Sequence, residues 1–236
     1  MSRMGAGILA LGIVAGMGIA GWLLSDALVT FKTWDRVVTV KGLSEREYLA
    51  DQVIWPIQFV EAGNDLPSLY EEIDAHAANV SQFLIRAGIN ESDITVGQPQ
   101  ITDKLAQQYG GGPRAEFRYS AIQTVTVYSA DVKKVREVMS SIGSLLKDGI
   151  VLSTQNYNAQ TQYVFTRLNE VKPEMIEEAT VNAREVALKF ASDSQSQLGK
   201  IRRANQGRFS ISARDTHHPH IKKVRVVSTI EYTLVD

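Results

Sequence analysis

The hydrophobic period of this chain changes from two to 3.6 between Asp51 and Ala87, and that change does most to limit its fold. In DQVIWPIQFVE, Asp51 to Glu61, the residues Val53, Trp55, Ile57 and Phe59 alternate along the chain, so all four point to one face of a strand. From Leu66 the apolar residues become Leu69, Ile73, Ala77, Val80, Leu84 and Ala87, one stripe of a helix that Pro67 opens and Gly88 ends. A half-buried strand followed at once by an amphipathic helix calls for helices layered on a sheet.

The pattern recurs along the chain. FRYSAIQTVTVYS, Phe117 to Ser129, is a second alternating strand, and Asp131 then caps a helix carrying Val132, Val135, Val138, Met139, Ile142 and Leu145 that Gly149 closes. Before these, Val37 to Val40 opens a β-branched strand, and Gly42 to Glu47 reads as a turn or twist. Pro56 has no N–H to donate, which predicts an edge or bulged strand. Ile94 to Asp103 reads as one strand, followed by Gly110, Gly111, Gly112 and Pro113, which do not hold regular structure cheaply. A strand-like run from Gly149 to Leu168 precedes a long helix from Pro173 to Leu198, with a predicted core face of Ile176, Ala179, Ala183, Val186, Ala187, Phe190 and Ala191. Strands around Ile201 to Ala204, Arg208 to Arg214 and Val224 to Val235 finish the chain. The order ββα, ββα, βα, βββ argues for an α+β fold of mainly antiparallel sheets with helices on one face.

Ahead of this domain, residues 5–24 read GAGILALGIVAGMGIAGWLL without a charge. Twenty helical residues reach roughly 30 Å, the thickness of a bilayer's hydrocarbon core, so the segment is expected to be a transmembrane helix. Arg3 precedes it, and Trp22, Phe31 and Trp34 supply aromatic rings for the far interface. The division is then an anchor and exit segment over residues 1–35 and an α+β domain over 36–236. Gly12, Gly16 and Ala20, four apart, form a small-residue face on which two membrane helices can associate. Gly16, Gly18 and Gly21 spell a dinucleotide fingerprint, but inside an apolar helix it lacks the strand and turn that such a site needs. Cleavage after Gly18-Ile19-Ala20 is the competing reading, and it would release a soluble module.

Chemistry is sparse. With 25 basic and 26 acidic residues and no long run of either sign, nucleic acid is not an expected partner. The absence of cysteine removes thiolate nucleophiles and cysteine-based metal sites. No G-x-S-x-G elbow, H-E-x-x-H helix, EF-hand loop or P-loop occurs. His217, His218 and His220, with Asp215 nearby, are the concentrated metal candidates. Their neighbours Arg214, Lys222 and Lys223 disfavour a cation, so the group reads as a solvated hairpin tip, and no metal or cofactor is expected. The pairs Glu71-Glu72 and Glu177-Glu178 diverge by about 100° on a helix and read as solvated faces. Lys200, Arg202 and Arg203 read as cations complementing the last helix's dipole.

Four stretches taken in order, VVTVKGLSE, HAANVSQFLIRAGINESDITV with QITDK, YSAIQTVTVYSADVKKVREVM and AREVALKFASDSQSQLGKI, resemble the SIMPL domain family. The matching positions are Gly42, Gly88, Ile89, Tyr119, Val125, Val127, Asp131, Ala183, Ala187, Ala191, Leu198 and Gly199. One departure is Ala50-Asp51, where the family often has Pro-Asp. The resemblance implies an envelope or periplasmic protein that self-associates into rings or cages and has no established catalytic residues. The expectation is a non-enzymatic, single-pass protein of the bacterial inner membrane, with its soluble domain periplasmic and its partners the bilayer, through residues 5–24, and copies of itself. The alternatives are a cleaved periplasmic module binding a small ligand or peptide in a groove between helices and sheet, and a metal-dependent enzyme using His217, His218 and His220.

Overall fold

The structure, a computed structural model, describes residues 12–25, 36–106, 116–153 and 160–235. Its elements are helix α1 (12–25), β1 (Val37–Leu49), β2 (Gln52–Gly63), α2 (Leu66–Arg86), β3 (Ile94–Val96), β4 (Gln100–Asp103), β5 (Tyr119–Ser129), α3 (Val132–Ser141), β6 (Gln162–Val164), α4 (Leu168–Asp193), β7 (Gln197–Gln206), β8 (Ser210–Ala213) and β9 (Ile221–Val235). The fold is α+β, with four helices and antiparallel pairing in every ladder whose register is defined. The residues divide into two compact units. One comprises Met1–Arg46, Val171–Ser210 and Val224–Asp236, and the other Glu47–Glu170 and Ile211–Lys223.

The unit centred on residues 47–170 holds a sheet of order β3-β5-β2-β6, with β4 also paired to β5. Alternation works as expected here: Val53, Trp55, Ile57 and Phe59 are all buried, and Ala121, Val125 and Val127 of β5 share their core. Leu69, Ile73, Ala77, Val80 and Leu84 of α2 complete it, joined by Val135 and Val138 of α3. The Asp65 carboxylate accepts from the Ser68 N–H at 3.1 Å, and Asp131 does the same for Lys134 at 2.9 Å, so both helices begin on side-chain caps. Gly88 and Gly149 take positive φ values of 90° and 79°, where a side chain would be strained.

Two strand expectations need correction. Ile94 to Asp103 forms two strands, because Pro99 has no N–H for a ladder; Ile94 faces Val127 while Gln100 faces Ile122, so β3 and β4 carry one extra residue against β5. Pro56 lies in an interior strand. Bonds from Val60 N–H to Val151 C=O and from Ser153 N–H to Gln58 C=O show that the even-numbered residues aim away from β5. On that side β6 covers only Gln52 to Ile54, so Pro56 costs no ladder bond. Of the strand expected over Gly149 to Leu168, β6 and an isolated bridge from Leu152 to Phe59 are present. The glycines at 110–112 and Pro113 lie outside the described residues.

The other unit carries the sheet of order β1-β9-β7, with β8 also on β9. Gly42 to Glu47 is no turn: β1 runs straight through it. A Cβ at Gly42 would overlap the Ala179 carbonyl oxygen and lie 2.5 Å from the Ala183 nitrogen, so α4 lies with its backbone directly on this strand. The helix presents Met175, Ala179, Ala183, Ala187 and Ala191 to the sheet, four apart and all buried. Val186 and Phe190, expected in that face, are instead 38 % and 55 % exposed. They follow Ala183 and Ala187 by three residues, about 60° around the helix, and an approach this close leaves room only for the alanine stripe.

The remaining segment of note is α1. Every residue from 12 to 25 is exposed, and among the described residues no helix is long and apolar enough to cross a membrane. Residues 5–11 of the expected anchor, with Phe31 and Trp34, lie outside the described residues.

Candidate functional site

The histidine group lies between β8 and β9, on a loop closed by Arg214 N–H to Ile221 C=O at 2.8 Å. Asp215 organises it. One carboxylate oxygen accepts the backbone N–H of His217 and of His218, both at 2.8 Å, and meets His218 Nδ1 at 2.8 Å, while the other accepts Arg214 Nε at 3.0 Å. These donors, the guanidinium first, hold the Asp215 carboxyl far below the usual carboxylate range. A carboxylate so fully engaged has little left to offer a metal.

His220 is buried and set edge-on to Tyr163, ring centres 6.0 Å apart, and its ring lies 6.0 Å from that of His218. Burial lowers its pKa, and the positive charges of Arg136, His218 and Arg214 lower it further against the opposing pull of Asp215. Burial likewise raises the Tyr163 phenol. The His220 carbonyl accepts the Ala50 N–H at 2.8 Å, tying the loop to the β1–β2 junction. His218 is thus engaged by Asp215 while His220 packs on Tyr163, and among the described residues no group of three or more His, Cys, Asp or Glu is placed to hold a metal ion.

The small-residue face of α1 is accessible. At Gly12 and Gly16 a Cβ would meet no atom within 4 Å, and Ala20 is exposed. Gly16, Gly18 and Gly21 all fall inside this helix, so the strand-turn-helix context of a dinucleotide site is absent there.

Two residues, Glu178 and Asp51, matter more than their sequence reading implies. Glu178, read as a solvated face residue, accepts Ser44 Oγ and Arg46 Nε at 2.9 Å each, and Glu174 meets Arg46 at 2.7 Å. Together they fasten α4 to β1. Asp51 accepts the backbone N–H groups of Thr166 at 3.0 Å and Arg167 at 3.2 Å, fixing the chain as it enters α4. Lys200, Arg202 and Arg203 sit on β7, beyond the end of α4, so they do not serve its dipole.

A groove of about 580 Å³ lies on the sheet in the unit that contains α4, lined by Thr39, Arg203, Asn205, Thr229 and Glu231. Thr39, Thr229 and Glu231 alternate with Val40, Ile230 and Tyr232, which pack with Ala183 and Ala187 of α4. This groove is therefore on the face away from the helix. It is open, and its lining mixes Ala204 and side-chain carbon with the polar ends of Arg203, Asn205 and Glu231.

In comparisons with known proteins, residues 38–227 match the model of the SIMPL family, described as a protein of unknown function (DUF541). No curated protein matches the chain.

Proposed function

This chain belongs to the SIMPL family, and from that premise we propose a non-enzymatic, membrane-anchored envelope protein that assembles with copies of itself. The observation that carries the reading is α1. Met17, Trp22 and Leu24 expose most of their surface there, and an apolar helix left uncovered by the described residues calls for lipid or a neighbouring helix around it. Residues 5–24 are read as a single pass of the bacterial inner membrane, with the domain in the periplasm. The face of Gly12, Gly16 and Ala20 brings neighbouring anchors together, and anchoring in one plane raises the local concentration of the domains.

Carbonate washing of native membranes together with intact mass tests the anchor. Retention in the pellet at full mass supports it, and release of a chain lacking Met1 to Ala20 would establish the cleaved module instead. A reporter fused at Asp236 tests the side: activity restricted to a periplasmic reporter supports the reading, and activity restricted to a cytoplasmic reporter overturns it.

A further inference from the structure

Strand β7 is an exposed sheet edge with a one-sided charge. From Lys200 to Gln206 each residue is exposed, and in the order β1-β9-β7 its strand neighbour is β9. Between Ser194 and Ala213 the sequence has four cations, Lys200, Arg202, Arg203 and Arg208, and no acid, which leaves 21 of the 25 basic residues against 26 acidic ones in the rest of the chain. The direction of its backbone groups follows from the register. Gly207 N–H donates to Val227 C=O at 2.8 Å, so Arg203 and Asn205, of the same parity, also turn inward to β9. Ala204, opposite Ile230, and Gln206, opposite Ser228, turn their N–H and C=O outward. Ile201 shares the face of its register partner Tyr232, yet it is 52 % exposed.

Cations and bulges on an edge guard against pairing with an identical edge, and β7 has both, with register shifts on either side of Ile201. Two copies of β7 would set the three cations Lys200, Arg202 and Arg203 against the same three. Arg202 already meets Glu231 of β9 at 3.4 Å, while Lys200 and Arg203 favour an acidic strand, whose alternate side chains would meet these cations on one face and Ile201 on the other. We propose that β7 is a strand-addition site for an extended segment of a partner protein that alternates acidic and apolar residues, its backbone pairing with Ala204 and Gln206. This rests on β7 alone and is independent of how the chain is anchored.

The test uses the detergent-solubilised full chain and a short fluorescein-labelled peptide of alternating Glu and Val, with binding read by anisotropy. Binding is expected to weaken with salt, and at least about tenfold in Ala204→Pro and in Arg203→Glu, the loss of a hydrogen bond to the edge or of a charge pair. Ala204→Ser, which keeps the N–H, is expected to bind as the parent does. A Glu-Val peptide N-methylated on alternate residues is expected not to bind, and this arm leaves the protein unaltered. Equal binding of the methylated peptide would overturn the proposal in favour of adsorption by charge alone. Equal binding of a Lys-Val peptide, or no binding of the Glu-Val peptide, would also overturn it. So would dissociation of a homo-oligomer by Ala204→Pro, which would make β7 a contact between copies.

Discussion

The two units bury their helices by opposite means. Around Phe59 the core is made of bulk: Trp55, Ile57, Leu69, Ile73 and Leu84 fill the space between α2 and its sheet. Around Gly42 it is made of closeness, since a missing side chain on β1 and a stripe of alanines let the α4 backbone descend onto the strand. The first core owes its stability mainly to apolar area removed from water, and the second adds a close approach of helix and strand backbone at Gly42 to the packing of Val40, Ile230 and Tyr232 on small alanines. The two should therefore respond oppositely to a change of volume.

Adding volume at Gly42 is expected to have the largest effect. Gly42→Val is expected to exceed the ~1–3 kcal/mol typical of overpacking, because the clash is with helix backbone that no rotamer change relieves. Thermal or chemical unfolding measures it, and a variant within about 1 kcal/mol of the parent would break the contrast. Removing volume comes next. Phe59→Ala should cost about 3–5 kcal/mol by leaving a cavity, and a neutral result would show that the bulk-filled core is not what holds α2 in place. Asp51→Ala is smaller, about 1–2 kcal/mol, through the lost bonds to Thr166 and Arg167, and hydrogen exchange at the start of α4 should report it locally.

The smallest effect is a slope in pH. His220 binds a proton more weakly when folded than its ordinary pKa of 6.5, so the unfolded chain takes up more protons and stability falls as pH drops below about 6.5. The lowered carboxylates, Asp65, Asp103 and Asp215, act below their ordinary 3.8, outside this window. His220→Gln should flatten the unfolding midpoint between these limits, and an unchanged slope would remove His220 from the account.

Where burial follows a simple period, the sequence was readable in advance. All of Val53, Trp55, Ile57 and Phe59, and the stripe from Leu69 to Leu84, reached the core as their spacing requires. Where burial depends on how near two backbones come, it was not. Gly42 to Glu47 reads locally as a turn or twist because glycine usually marks one, and only the arrival of α4 from far along the chain shows what Gly42 is for. Val186 and Phe190 were assigned inward on apolarity, and the depth of the alanine stripe excluded them. The partnership of Glu178 with Ser44 and Arg46 spans over 130 residues of sequence, so no local pattern announces it. The histidines illustrate a third case: their closeness in sequence is plain, but the turn around Asp215 engages the His218 ring with a carboxylate, while the His220 ring, 6.0 Å away, is buried edge-on to Tyr163.

The most direct measurement of the central proposal is the mass, by light scattering, of the detergent-extracted full chain beside a form lacking residues 1–35. A large homo-oligomer that loses subunits when the anchor is deleted is the expected result. A monomer of the same behaviour with and without residues 1–35 would contradict it.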